Sequence, residues 1–206
     1  VIAYINDENS EGYLKVWHHN RFRFFDRKLI EVQAEERAKD PWKIKQGSSS
    51  LCGMASLYNV LIKRDSQLYL KIVKDLLRIG ECILDDYTIS PHSSALEMYD
   101  VNPKSSPDYI NMAMFEVDWL VLATTRSKES TQNLIYKGKE SGKMDMLKAV
   151  NWPDMLTRMG KQVAGFSNSK SYGLSKININ DKKTLVGARV YDYFSHSDLR
   201  ELQKKV

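Results

Sequence analysis

The residues with the most chemical potential lie together in Gln46-Gly47-Ser48-Ser49-Ser50-Leu51-Cys52-Gly53-Met54-Ala55-Ser56. A cysteine acts as a nucleophile only as the thiolate, and a free thiol has a pKa of about 8.5. Met54, Leu57, Tyr58 and Leu61 recur at helical spacing and make one apolar face, which predicts a helix from near Cys52 to about Lys63. The first turn of a helix carries unsatisfied N–H groups and the positive end of the dipole, and both favour a thiolate there. Gly53 leaves the backbone N–H beside the sulfur uncrowded. Gln46 stands upstream across a loop of small residues, which can fold back and aim the side-chain amide beside the sulfur. That amide and the Cys52 backbone N–H would then form an oxyanion hole. The blander alternative is a small buried cysteine at a helix start, with Gln46 on the surface. Cys82 follows a helix end, has no comparable surroundings and reads as structural.

Acyl transfer also needs a base. After Cys52 the chain offers His92 and His196. His92 lies in the loop Ser90-Pro91-His92-Ser93, early in the chain. His196 lies in Ser195-His196-Ser197-Asp198, which also reads as a helix cap. His18 and His19 are adjacent, so on a strand they point to opposite faces and would not chelate together. No pair of Cys or His residues has structural-zinc spacing, and neither a metal nor a cofactor is expected. Two cysteines fall short of a disulfide framework, although one bridge stays open.

Periodicity and breakers give the elements that would hold these residues. Residues 1–40 read as a strand-containing lead-in. Tyr13 to Trp17 and Arg21 to Val32 flank a polar break at His18-His19-Asn20, compatible with a hairpin. Asp40-Pro41 closes this part, and residues 41–206 form the main domain. Behind the Cys52 helix, Asp65-Ser66 caps a second one that runs to about Ile79. It has a stripe of Tyr69, Ile72, Val73, Leu76 and Leu77, and Gly80 ends it. Residues 85–107 read as irregular, with a short helix over 93–99. Tyr109 to Arg126 predicts a helix apolar on most sides, placed at the centre of the core. Residues 127–142 read as polar and exposed, and 144–150 as a helical turn. Asn151 at a cap and Pro153 in a first turn open another helix that ends by Gly160. Beyond a Ser/Gly/Asn loop over 167–175, strands are expected over 177–179 and 184–194 and a last helix over 198–205.

Composition limits the classes of function. The chain has 206 residues, 42% hydrophobic and 28% charged, an ordinary globular balance. No apolar run approaches the ~20 residues that span a bilayer, and the best candidate, Met112 to Ala123, is interrupted by Glu116 and Asp118. The net charge of +5 is spread along the chain and reads as a mildly basic solvated surface. The run Arg21-Phe22-Arg23-Phe24-Phe25-Asp26-Arg27-Lys28 interleaves basic and aromatic residues, as a nucleic-acid surface would. Its alternation also suits a half-buried strand, the preferred reading, and a nucleic-acid partner is not expected. The chain opens at Val1 without a signal-peptide pattern, so a trimmed or excised segment is expected.

The segment around Cys52 resembles the nucleophile region of papain-like cysteine peptidases. It is also similar to bacteriocin-processing leader peptidases and papain-like bacterial effectors, which share a Gln, a short loop, then Cys-Gly and small residues on a helix. Gln46 and Cys52 match that spacing, and Gly53, Ala55 and Ser56 match the helix start. The pattern of papain proper is absent: no Gly-Ser precedes Cys52, and Met54 stands where a Trp would be expected. The resemblance therefore implies a toxin or effector domain of a larger bacterial protein, with an α+β, papain-like fold whose helical lobe is well represented and whose β lobe is incomplete. It implies a cysteine protease or another acyl-transfer enzyme with Cys52 as nucleophile and Gln46 on the oxyanion. A deamidase or transglutaminase would use the same dyad, and an inert binding module would keep the fold alone. In the family a His follows the Cys and opens a strand of the second lobe, and an Asn or Asp orients its ring. His196 is suitably far along the chain, but no apolar strand follows it. The segment is thus expected to stop before its catalytic His and to be nearly inactive alone. The implied partners are a protein or peptide substrate, an immunity or inhibitor protein, or the rest of a toxin chain. The implied location is secreted, or delivered into a reducing cytoplasm.

Overall fold

Asp26 accepts a hydrogen bond from the Leu29 backbone N–H at 3.0 Å and so opens helix α1 (Arg27–Lys39). Ile30, Gln33, Ala34 and Arg37 follow at helical spacing and are buried. The strand expected from Arg21 to Val32 is thereby corrected. The cap and the buried stripe outweigh the short basic–aromatic alternation, and residues 21–25 form bends and a turn. Within that turn Phe22 and Phe25 go into the core, where both rings meet Trp119 edge-on, while Phe24 faces outward.

The computed structural model describes residues 2–4, 10–13, 20–101, 113–130, 135–138, 151 and 153–167. Within these, α2 (Cys52–Arg64) follows a 3₁₀ turn at Pro41–Lys43 and the loop that carries Gln46. Asp65 caps α3 (Ser66–Ile79) by accepting from Leu68 N at 2.9 Å. Gly80 ends α3 in the left-handed region at φ +82°, where a Cβ would also come within 2.8 Å of Arg21 Cγ. The chain then makes a small hairpin, missed in the sequence because strands this short show no periodicity. If β1 (Ile2–Tyr4) and β2 (Ser10–Tyr13) are the first pair, the hairpin is β3 (Cys82–Ile83) with β4 (Thr88–Ile89). Both pairs are antiparallel, with Ile2 opposite Tyr13 in the first and Cys82 opposite Ile89 in the second. The helix expected over 93–99 is a 3₁₀ turn at Ala95–Glu97.

Helix α4 (Glu116–Lys128) starts later than the sequence suggests, and every residue from Val117 to Ser127 is buried. Its central place in the core follows the expectation drawn from its apolar faces. Residues 127–142 were expected to be exposed. Instead Trp119 Nε1 donates to the Gly138 carbonyl at 2.8 Å and draws Tyr136 and Gly138 inward. Helix α5 (Pro153–Gln162) continues past Gly160 and packs on α2. Helix α1 packs on α3 and α4, and α2 packs on α3 and α4, with Tyr58 and Thr125 hydroxyls 2.6 Å apart between α2 and α4. The described residues thus form a mostly helical fold of five α-helices and two two-stranded antiparallel sheets. The predicted elements over 144–150, 177–179, 184–194 and 198–205 lie outside the described residues, as do His18, His19 and His196.

A buried polar bridge ties α1 to α4. Arg37 donates from Nε to Asp118 Oδ1 at 3.1 Å and from Nη2 to Oδ2 at 3.0 Å. One helical turn away, Gln33 accepts from the Val117 backbone N–H at 3.2 Å and donates to Glu116, capping α4 from outside its own chain segment.

Candidate active site

Leu51 is buried and anchors the end of the Gln46 loop in the core, so that Cys52 emerges exposed as the first residue of α2. The N-cap position is an apolar side chain and makes no capping hydrogen bond, which leaves the positive helix end without an acceptor from that side chain. Met54, Leu57, Tyr58, Leu61 and Ile62 turn into the core. Ser56, Val60 and Lys63 turn outward, so Cys52 heads an open stripe along the helix. Beside this stripe runs a trough of about 430 Å³ walled by Trp42, Ile44, Ala55, Asn59, Val60 and Lys63. Trp42 is 75% exposed, and the Lys63 ammonium lies 3.9 Å from its ring centre.

The loop before Cys52 is held at both ends. At its start, Asp118 Oδ2 accepts from the Lys45 backbone N–H at 3.1 Å, so the buried bridge described above also fixes the residue before Gln46. Burial pushes the Asp118 carboxyl up, against the opposing pull of the Arg37 guanidinium and the Lys45 N–H. The Gln46 carbonyl then accepts from both the backbone N–H and the hydroxyl of Ser49, closing a tight turn. At the loop's far end, Asn151 Nδ2 donates to the Ser50 carbonyl at 3.2 Å. Asn151 also lies over Gly53, where an added Cβ would stand 2.5 Å from its own Cβ. Gly53 is thus set by close approach of a distant segment as well as by access to the sulfur.

The structure therefore gathers the Gln46 turn, Cys52, Gly53 and Asn151 at one end of α2. Gln46 Oε1 is buried without a hydrogen-bond partner, and no hydrogen bond joins Gln46 to Cys52. Sequence reasoning assigned Asn151 a helix-capping role and missed its contact with the loop. The one signal was Gly53, a residue that admits a close neighbour. His92, the one histidine among the described residues, is exposed, with Nδ1 2.7 Å from Ser94 Oγ and no interaction with Cys52. Cys82 is buried on β3, and Lys71 Nζ lies 3.6 Å from its sulfur. Burial pushes the Cys82 thiol up to about 11, more than the Lys71 charge pulls it down. Among the described residues no group of His, Cys, Asp and Glu could hold a metal ion, and no helix is long and apolar enough to cross a membrane. Comparison with known proteins finds no matching family model, curated protein or solved structure.

Proposed function

We propose that this protein is a papain-like cysteine acyl-transfer enzyme with Cys52 as nucleophile and peptide hydrolysis as its leading reaction. The observation that carries the reading is the placement of Cys52, an exposed thiol at the positive end of α2 beside the turn that bears Gln46. The Cys52 thiolate attacks a peptide carbonyl and a C–S bond forms. The Cys52 backbone N–H and the Gln46 amide meet the oxyanion. An imidazole holds the thiol proton and passes it to the leaving amine as the C–N bond breaks, and His196 is the low-ranked candidate for it within this sequence. Water then hydrolyses the thioester. The trough beside Trp42 takes an apolar substrate side chain near the scissile bond. A deamidase would use the same steps on a side-chain amide, and a transglutaminase would resolve the thioester with an amine. In this reading the fold is the α+β papain type with an incomplete β lobe, serving as a toxin or effector domain of a larger bacterial protein.

The test is release of fluorophore from a peptide library and of ammonia from glutamine peptides. Cys52→Ala should abolish whichever activity is found, and Cys82→Ala should leave it intact. His196→Ala tests whether His196 is that imidazole: a kcat lower by about 10²–10⁴-fold assigns it the role, and an unchanged kcat removes it. Trp42→Ala should raise KM more than it lowers kcat. Activity that survives Cys52→Ala rules the reading out. One observation favours a second reading, an inert binding module: the described histidine engages Ser94 instead of Cys52. In that case Cys52→Ala leaves the biological effect of the protein unchanged, and no thioester can be trapped.

A further inference from the structure

The turn at residues 21–25 carries a second surface, separate from the one that holds Cys52. Because this run is a turn and not a strand, Phe22 and Phe25 are buried while Arg23 and Phe24 face solvent. The last turn of α3 brings Arg78 and Ile79 to the same place. Together with Arg21 and Leu96 they line an open pocket of about 560 Å³, within the range of roughly 300–1,000 Å³ usual for ligand sites. Three arginines meet one carboxylate there, Glu97, and that carboxylate is taken by Arg21 at 3.5 Å. Arg21 is further occupied by the Leu96 carbonyl at 3.2 Å. Arg23 and Arg78 have no carboxylate partner among the described residues. The apolar part is equally open: Phe24 is 58% exposed, Ile79 60% and Tyr99 45%. The Arg23 guanidinium lies 4.9 Å from the Phe24 ring centre, and the Tyr99 ring meets Phe24 edge-on at 6.3 Å.

Guanidinium groups without a carboxylate partner, from two separate segments and flanking an exposed aromatic ring, suit a ligand that is flat and apolar on one side and anionic on the other. We propose that this face binds single-stranded nucleic acid. A base stacks on Phe24 and the adjoining phosphates lie against Arg23 and Arg78. An acidic peptide would satisfy the arginines but gain little from the exposed rings, whereas every nucleobase has a π-face to stack. A duplex hides those faces, so single strands are favoured. The overall charge of +5 works in the same direction.

The test uses the full chain and a short fluorescein-labelled oligo(dT) strand, followed by anisotropy at several salt concentrations. Binding should weaken as salt rises. Each single-strand phosphate neutralised contributes about 0.7 to the slope of log K against log salt, so Arg78→Ala should make the slope shallower by about that amount. Phe24→Leu should weaken binding about tenfold at unchanged slope, and Phe24→Tyr, which keeps a ring, should restore it. Both positions are exposed, and melting curves check that the variants remain folded. Lys43→Ala, outside the pocket, should change nothing. The proposal is overturned if the strand does not bind at low salt, or if Phe24→Leu and Arg78→Ala bind like the parent. Equal displacement of the strand by poly-glutamate at matched charge would replace it with a general acidic-partner surface. Equal affinity for thymidine monophosphate alone would replace the strand with a free nucleotide.

Discussion

The two thiols meet opposite surroundings, and alkylation should separate them. Cys52 is exposed at a helix start, whereas Cys82 is buried with its thiol pushed up to about 11. Iodoacetamide at neutral pH is expected to modify Cys52 first in the native protein, with mass spectrometry of timed digests as the readout. Comparable rates at both sites would remove the case for Cys52 as a nucleophile. Gly53 gives a second expectation at the same scale. In Gly53→Ala the new methyl must displace Asn151, which stands 2.5 Å away, and the neighbouring Leu156 at 2.9 Å. Overpacking of this kind costs about 1–3 kcal/mol, measurable by urea unfolding, and should loosen the Ser50 anchor. What the sequence disclosed at this scale was local. The placement of Cys52 follows from the apolar period behind it, as does the burial of Met54, Leu57, Tyr58 and Leu61. The contact of Asn151 with Ser50 was not legible, because it joins residues 101 positions apart and no local pattern encodes it.

Between elements, the least replaceable connection is the Arg37–Asp118 bridge from α1 to α4. Their side chains are 2% and 0% exposed, so neither charge can turn to water if the other is lost. Asp118→Ala leaves Arg37 with only the half-exposed Glu36 carboxylate at 3.2 Å, and is expected to destabilise the protein by about 3 kcal/mol in chemical denaturation, the low end of the cost of breaking a buried pair. It also frees the Lys45 N–H and so loosens the start of the Gln46 turn. A replacement of both residues by well-packed apolar ones should recover most of the stability but not the turn. Helix α2 was readable from its apolar period alone, and α3 because period and caps agree: Asp65 and Gly80 stand where its apolar stripe begins and ends. Helix α1 was not, because a run of alternating Arg and Phe mimics a strand until Asp26 caps the chain. Only the tertiary contact of Phe22 and Phe25 with Trp119 shows which rings belong inside.

At the scale of the molecule, α5 is joined to the rest through α2 and through a polar cluster at the end of α4. Glu129 accepts from Tyr87 and pairs with Arg158 of α5. Burial pushes the Glu129 carboxyl up, but the Arg158 and Tyr87 hydrogen bonds and the Arg158 charge outweigh it, and the group stays below its ordinary value. A depressed carboxylate stabilises the fold above its unfolded pKa of about 4.3, and that contribution is lost as pH falls through the lower folded value. Acid unfolding should therefore show a Glu129-dependent limb below about pH 4.3 that flattens in Glu129→Gln. An identical acid limb in the variant would show that the pairing adds nothing to the assembly. The helical character of the molecule was legible in its long apolar periods. The inward placement of Tyr136 and Gly138 was not, since a tryptophan indole holds the Gly138 carbonyl from across the core.

The complete burial of α4 from Val117 to Ser127 carries a kinetic consequence. Its amides touch no solvent in the native state, and three other helices or their loops must move before deuterium can reach them. Exchange there is governed by whole-chain opening, whereas the short β3–β4 ladder and the outward stripe of α2 exchange through local fluctuation. The slowest-exchanging amides of the protein thus report its global free energy directly. The segment that heads with Cys52 can breathe without disturbing them.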